Sequence, residues 1–194
     1  LFTGIIQDMG LVTGVTRTGQ DLTLVIESEL LSRMEVGGSV AVNGTCLTAV
    51  SVNGASIEVN AVGETLARTS MGDVAEGNRV NLELPMTPDS MFDGHIVQGH
   101  VDDVASVRSL ADDGESVRIC FDAGPEVLRY LVEKGSVTVD GISLTVAGLD
   151  EGGFEVAIIP HTREVTTLGS RQVGDRVNVE VDVLAKYVER LLQT

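Results

Sequence analysis

Much of this chain is written twice. Ser39-Val-Ala-Val-Asn-Gly-Thr-Cys-Leu-Thr48 returns as Ser136-Val-Thr-Val-Asp-Gly-Ile-Ser-Leu-Thr145, and Gly77-Asn-Arg-Val-Asn-Leu-Glu83 returns as Gly174-Asp-Arg-Val-Asn-Val-Glu180. Both pairs hold one offset of roughly 97 residues with no gap between them, and about a third of the positions across that stretch are identical. A weaker echo joins Gly4-Ile-Ile-Gln-Asp8 to Gly99-His-Val-Asp-Asp103. Chance does not produce this, so the chain is a duplication whose copies fold alike. Its 194 residues suit two compact units of about 90 residues each.

Each copy reads as short strands. Ser39 to Asn43 alternates apolar and polar residues, as a half-buried strand does. Leu47 to Val52 and Ser56 to Val59 flank Asn53-Gly54, a hairpin signal, and Asp150-Glu-Gly-Gly153 takes that place in the second copy. Leu22 to Glu27, Arg79 to Leu84, Ser116 to Phe121 and Arg176 to Val183 add further strands. Strands this short and evenly spaced predict small closed barrels rather than a parallel sheet. A helix is predicted over Glu126 to Lys134, started by Gly124-Pro125 and stopped by Gly135. The last segment puts Leu184, Val188 and Leu191 on one helical stripe, which either docks on its own barrel or forms a seam between subunits.

The formal net charge is −16. That excess repels phosphate backbones and anionic lipids, which argues against nucleic-acid and membrane partners. Cys46 and Cys120 are too far apart in sequence for a metal knuckle, and nothing marks a disulfide framework. His95 and His100 are five apart, poor spacing for a metal, and no Cys or carboxylate cluster completes a set. With no membrane-length apolar run and no leader pattern, the expectation is a cytoplasmic protein.

The differences between copies matter more than the duplication itself. Cys46 matches Ser143, and Leu84-Pro85 matches Val181-Asp182. Two similar pockets with different polar groups suit an enzyme that binds one ligand twice and treats the two copies unequally. Taken alone, Cys46 on an alternating strand reads as a small buried hydrophobe, Ser143 and Thr145 as ordinary strand residues, and His161 as a loop residue.

Phe2-Thr-Gly-Ile-Ile6, Asn43-Gly-Thr-Cys-Leu-Thr48, Gly94-His-Ile-Val-Gln-Gly-His-Val-Asp102, Lys134 to Thr145 and Thr166-Thr-Leu-Gly169 together resemble the riboflavin synthase family, with its tandem lumazine-binding repeats. The resemblance runs from residue 2 to the end. It departs at Asp93, at Leu84-Pro85 and in a short tail. It implies an all-β fold of two tandem homologous six-stranded Greek-key barrels with short helices and a C-terminal helix. The expected divisions are 1–90 for the first barrel, 91–183 for the second and 184–194 for an oligomerisation helix. The implied reaction is dismutation of two molecules of 6,7-dimethyl-8-ribityllumazine into riboflavin and 5-amino-6-ribitylamino-uracil, with no cofactor and no metal. The implied assembly is a homotrimer with sites shared between subunits, and the resemblance leaves room for an association with lumazine synthase.

By the same resemblance Ser39, Cys46 and Thr48 line the first pocket, closed by Phe2 and Thr3, with Gly4, Gly63 and Thr65 also binding substrate. Ser143, Thr145, Lys134, Ile159 and Thr162 line the second, together with Asp182, while Gly99 and His100 open the second barrel. Ser39, Cys46, His100, Ser143 and Asp182 are the catalytic candidates. His100 is the natural proton shuttle, since imidazole titrates near neutral pH, and Cys46 and Asp182 are expected at the reacting centre. A non-catalytic lumazine or flavin carrier of the same fold is the main alternative. A flavin-reductase-like barrel fits less well, because such a module needs only one barrel.

Overall fold

The computed structural model describes residues 1–193. The first copy contributes β1 (Asp8–Thr18), β2 (Asp21–Glu27), β3 (Ser39–Val42), β4 (Thr45–Asn53), β5 (Ser56–Ala61) and β6 (Arg79–Glu83). These close a barrel in the order β1-β2-β5-β4-β3-β6. The second copy repeats it with β7 (Asp103–Asp113), β8 (Ser116–Asp122), β9 (Ser136–Val139), β10 (Ile142–Asp150), β11 (Gly153–Ile158) and β12 (Arg176–Val181), closed as β10-β11-β8-β7-β12-β9. Every pairing is antiparallel. Closure leaves no free sheet edge.

Strand alternation decides what lies inside. Leu22, Leu24 and Ile26 of β2 and Val117, Ile119 and Phe121 of β8 are buried, each in its own barrel core. Full burial of such a side chain stabilises by about 1.5–3 kcal/mol. Register shifts fall at equivalent places, between Val12 and Gly14 and between Val107 and Ser109, then between Ala49 and Ser51 and between Val146 and Gly148. An extra residue on one strand sharpens twist and bend, which a six-stranded sheet needs to close on itself.

The tight turns are not all where the sequence places them. Asn43-Gly44 and Asp140-Gly141 carry positive φ at both residues (44° and 75°, 46° and 81°), which makes them two-residue turns matched to strand twist. Asn53, by contrast, stays in β4 opposite Ser56, and the turn falls on Gly54 and Ala55. The helix expected over 126–134 is short, α2 spanning only Pro125–Leu128. After the Arg129 N–H to Pro125 bond the chain tightens to Tyr130 N–H to Val127 O and Leu131 N–H to Leu128 O. That tightening lets Val127 and Leu131 both enter the core. His161 sits in a helix rather than a loop. Two unforeseen helices cap equivalent barrel ends: α1 (Gly63–Arg68), and α3 (Pro160–Val165), which carries His161. The C-terminal helix α4 spans Val183–Leu192.

A polar cross-lock joins the barrels with near two-fold symmetry. Asn81 donates through Nδ2 to Asp140 O (2.8 Å), and Asn178 through Nδ2 to Asn43 O (2.8 Å). In return Thr167 N–H reaches Asn81 Oδ1 (2.8 Å) and Ser70 N–H reaches Asn178 Oδ1 (2.6 Å). Both asparagines are 1% exposed, so an unmet partner here would carry the full desolvation penalty. Gly44 and Gly141 meet on this axis, where a Cβ on Gly141 would lie 2.7 Å from Gly44 N. Gly141→Ala should therefore destabilise the chain by about 2 kcal/mol or more, through left-handed strain plus a backbone collision. A urea midpoint equal to the parent protein's would refute this.

Candidate functional site

In β3 and β4 Ser39 lies opposite Thr48 and Ala41 opposite Cys46. Val40, Leu47 and Ala49 point into the core, so alternation turns Ser39, Cys46 and Thr48 to the outer face. The second copy does the same with Ser136 opposite Thr145 and Thr138 opposite Ser143. Each copy thus presents a polar patch on the outside of its barrel.

Each patch is completed by the segment that leads into the other barrel. Cys46 N–H donates to Gly99 O (2.9 Å), and Ser143 N–H to Gly4 O (2.7 Å). Only glycine fits at either crossing: φ is +77° at Gly99 and +79° at Gly4, and a Cβ would lie 2.6 Å from Cys46 Cβ and 2.7 Å from Ser143 Cβ. Buried carboxylates hold both segments. Glu83 accepts from Thr3 N–H, Thr3 Oγ1 and Gly4 N–H at 2.7–2.9 Å, and Glu180 from the N–H groups of Gln98, Gly99 and His100 at 2.7–3.0 Å. Burial pushes both carboxyls up, and these N–H donors pull back against it.

On the first patch Ser39, Cys46 and Thr48 share the outer face and Gly99 joins them through its carbonyl on Cys46 N–H; His100, next in the chain, is exposed. Phe2 is fully buried beside them with Ala41 and Val97, against Cys46. Thr3 is buried, its hydroxyl engaged by Glu83. On the second patch Ser143 and Thr145 stand two apart on β10, and Lys134 enters the strand pair with its N–H on Val146 O (2.8 Å). Lys134 holds φ 66°, the left-handed conformation that Gly37 takes in the first copy. Gly63 and Thr65 lie on α1; Ile159 caps α3, and Thr162 lies within it.

The residue that sequence reasoning missed is His95. It is 7% exposed, with Nδ1 2.7 Å from Ser143 Oγ and Nε2 3.1 Å from Thr138 Oγ1. Burial lowers its pKa from the ordinary 6.5, while the charge of Asp182 works the other way. Asp182 itself caps α4, accepting Leu184 N–H at 3.0 Å. A neutral imidazole against Ser143 is positioned to accept its proton. Because unfolded His95 takes up a proton more readily than folded His95, stability should fall as pH drops below about 6.5. The glutamine variant (H95Q) should show a flatter stability profile as pH falls below about 6.5; parallel curves from denaturant titrations would overturn this.

Among the described residues no group of His, Cys, Asp or Glu is arranged to hold a metal ion, and no helix is long and apolar enough to cross a membrane.

Comparison with known proteins agrees with the duplicated fold. Residues 3–85 and 98–182 each match the lumazine binding domain, so the chain carries two such domains. It is 48% identical to riboflavin synthase of Mycobacterium bovis over 201 residues, covering 100% of this chain and 99% of the relative. Against riboflavin synthase of Actinobacillus pleuropneumoniae the identity is 39%, and against that of Bacillus subtilis 37%, each covering 99% of this chain and 90% of the relative. Solved structures of LumP, complexed with riboflavin (TM-score 0.87) and with 6,7-dimethyl-8-(1'-D-ribityl)lumazine (0.85), share the fold at 21% identity, each covering 93% of this chain and 99% of LumP. The chain belongs to the riboflavin synthase family.

Proposed function

We propose that the two outer-face patches are the two halves of the lumazine site, and that the chain transfers a four-carbon unit between two molecules of 6,7-dimethyl-8-ribityllumazine. One molecule gains the unit and becomes riboflavin; the other loses it and becomes 5-amino-6-ribitylamino-uracil. The observation that carries this is the paired but unequal chemistry of the patches. Cys46 with exposed His100 occupies one, and Ser143 with buried His95 occupies the equivalent place in the other. Two identical substrates meeting these patches are treated differently, as donor and acceptor. The reaction needs a proton removed from an acidic methyl group, a nucleophile, and two rings held in register. Register alone supplies roughly 7–11 kcal/mol in the best intramolecular models.

In this reading His100 moves the proton, Cys46 or Ser143 supplies the nucleophile, and Ser39, Thr48, Thr145, Thr162 and Lys134 bind substrate. Asp182 acts through His95. The site is composite: the first patch of one subunit closes on the second patch of its neighbour in a trimer. Two features support that assembly. Both patches face outward, and α4 leaves Leu184, Tyr187 and Val188 53–62% exposed. Its other side is tied to the second barrel through Glu189 with Tyr130 and Lys186 with Asp102. An assembly in the cytoplasm accords with two unpaired cysteines.

The test is incubation of the purified protein with 6,7-dimethyl-8-ribityllumazine alone. One riboflavin per two lumazines consumed is the expected result. Binding of one lumazine per chain with no riboflavin would make the chain a carrier instead. A sedimentation mass of a stable monomer would remove the composite site.

A further inference from the structure

A cleft of about 300 Å³ opens at the junction of the barrels, lined by residues that none of the chemistry above uses. Arg79 of β6 and Arg176 of β12 reach it from equivalent positions in the two copies, and Arg171 joins them from the end of the 3₁₀ turn Thr167–Ser170. Three of the 13 Lys and Arg residues of a chain with net charge −16 line this one cavity.

Internal partners leave most of their donors unused. Arg171 gives Nη2 to Asp140 (2.6 Å), Arg176 gives Nη1 to Asp73 (2.7 Å), and Arg79 gives Nη1 to Met9 O (3.2 Å). Each guanidinium carries five N–H donors. Arg79 has no carboxylate partner among the described residues. Asp73 and Asp140 face the other two guanidiniums, with Asp175 acting electrostatically on Asp140, so Arg79 is the guanidinium of the cleft that enters no ion pair among the described residues. In its wall Thr167 Oγ1 and Arg171 Nε are buried with no hydrogen-bond partner.

The copies differ at this spot. Where the second has Asp140 and Arg171, the first has Asn43 and Val74. A buried ion pair is a weak source of stability compared with neutral or apolar groups of similar volume. Stability alone is therefore a poor reason for Arg171, whereas recognition of an anion is a direct one.

We propose that this cleft binds a small oxyanion, phosphate either free or as a monoester, and that the bound anion ties the two barrels together. Guanidinium forks match the geometry of phosphate oxygens, and both barrels contribute: Arg79 from the first, Arg171 and Arg176 from the second.

Calorimetry and thermal unfolding of the full chain at fixed ionic strength test this, with inorganic phosphate, ribose 5-phosphate and ribose as probes and sodium chloride as the salt control. Saturable phosphate binding with a rising melting temperature is expected, since a ligand of the folded state stabilises it. The double variant R79Q/R176Q should bind at least tenfold more weakly while its lumazine turnover without phosphate stays unchanged. Asp73→Asn releases Arg176 and should tighten binding several-fold, an opposite sign that loss of folding cannot imitate. Equal affinity for phosphate and ribose 5-phosphate would assign the site to the bare oxyanion, and tighter binding of the ester would assign it to a sugar phosphate. Binding unchanged in both variants, or a chloride response equal to that of phosphate, would overturn the proposal.

Discussion

Replacing Phe2 with Ala should lower stability by about 3–5 kcal/mol, the usual cost of emptying a fully buried phenyl site. Phe2 is 0% exposed and lies between barrels rather than within either core, against Ala41, Val97 and the Cys46 side chain. Its N–H and carbonyl pair with Val97 at 2.7 and 3.2 Å, which fixes the ring relative to both copies. The second barrel cannot collapse into the void without moving the Gly94–His100 segment. The loss should therefore appear twice, as a lower urea midpoint and as reduced lumazine turnover, because the hole opens beside Cys46. A midpoint within experimental error of the parent would show that Phe2 is merely covered, not packed.

His100→Gln should lower kcat by about 10²–10⁴-fold, the range that a positioned general acid or base contributes. The reason lies in what His100 does not do. Its side chain is exposed, and its tie to the fold is a backbone N–H to Glu180, which glutamine keeps. Stability and lumazine affinity should hardly change, so the defect would fall on turnover. A kcat within about threefold of the parent would move the proton transfer to another group, with His95 next in line.

Much of this architecture was legible in the sequence because duplication shows in the residues that fix backbone geometry. The strand run at Ser39 and its repeat at Ser136 marked the two barrels together, while the outer-face position of their polar residues appears only in the strand pairing. The longest strands, β1 and β7, escaped because the register shifts near Gly14 and Ser109 break their alternation. Helices α1 and α3 escaped because six residues are too few for an apolar stripe to repeat. The helix over 126–134 was overdrawn because Gly124-Pro125 and Gly135 bound a longer stretch than the helix fills, the chain contracting to i,i+3 bonds after Leu128.

His95 was hidden for a different reason. Set beside His100 it is a poor metal pair, and spacing alone points to nothing else. An extended segment puts residues five apart as much as about 17 Å from each other, so each histidine serves a different patch. The available signal was that both follow a glycine. Gly94 and Gly99 are the points where the segment crosses other backbone closely: a Cβ on Gly94 would lie 1.9 Å from Thr3 O.

That crossing has a consequence for modularity. Each barrel closes its own sheet and fills its own core, so by the usual measures the halves are separate domains. Yet the backbone partner of Cys46 belongs to the lead-in of the second barrel, and that of Ser143 to the lead-in of the first. A cut anywhere in the linker around residue 90 leaves two intact cores and two incomplete sites, each with an amide left seeking an acceptor. The repeats have separate cores but share their junction and their patches, so exchanging one half for that of a relative would succeed only if the short lead-in travelled with the patch it serves and the asparagine cross-lock were kept.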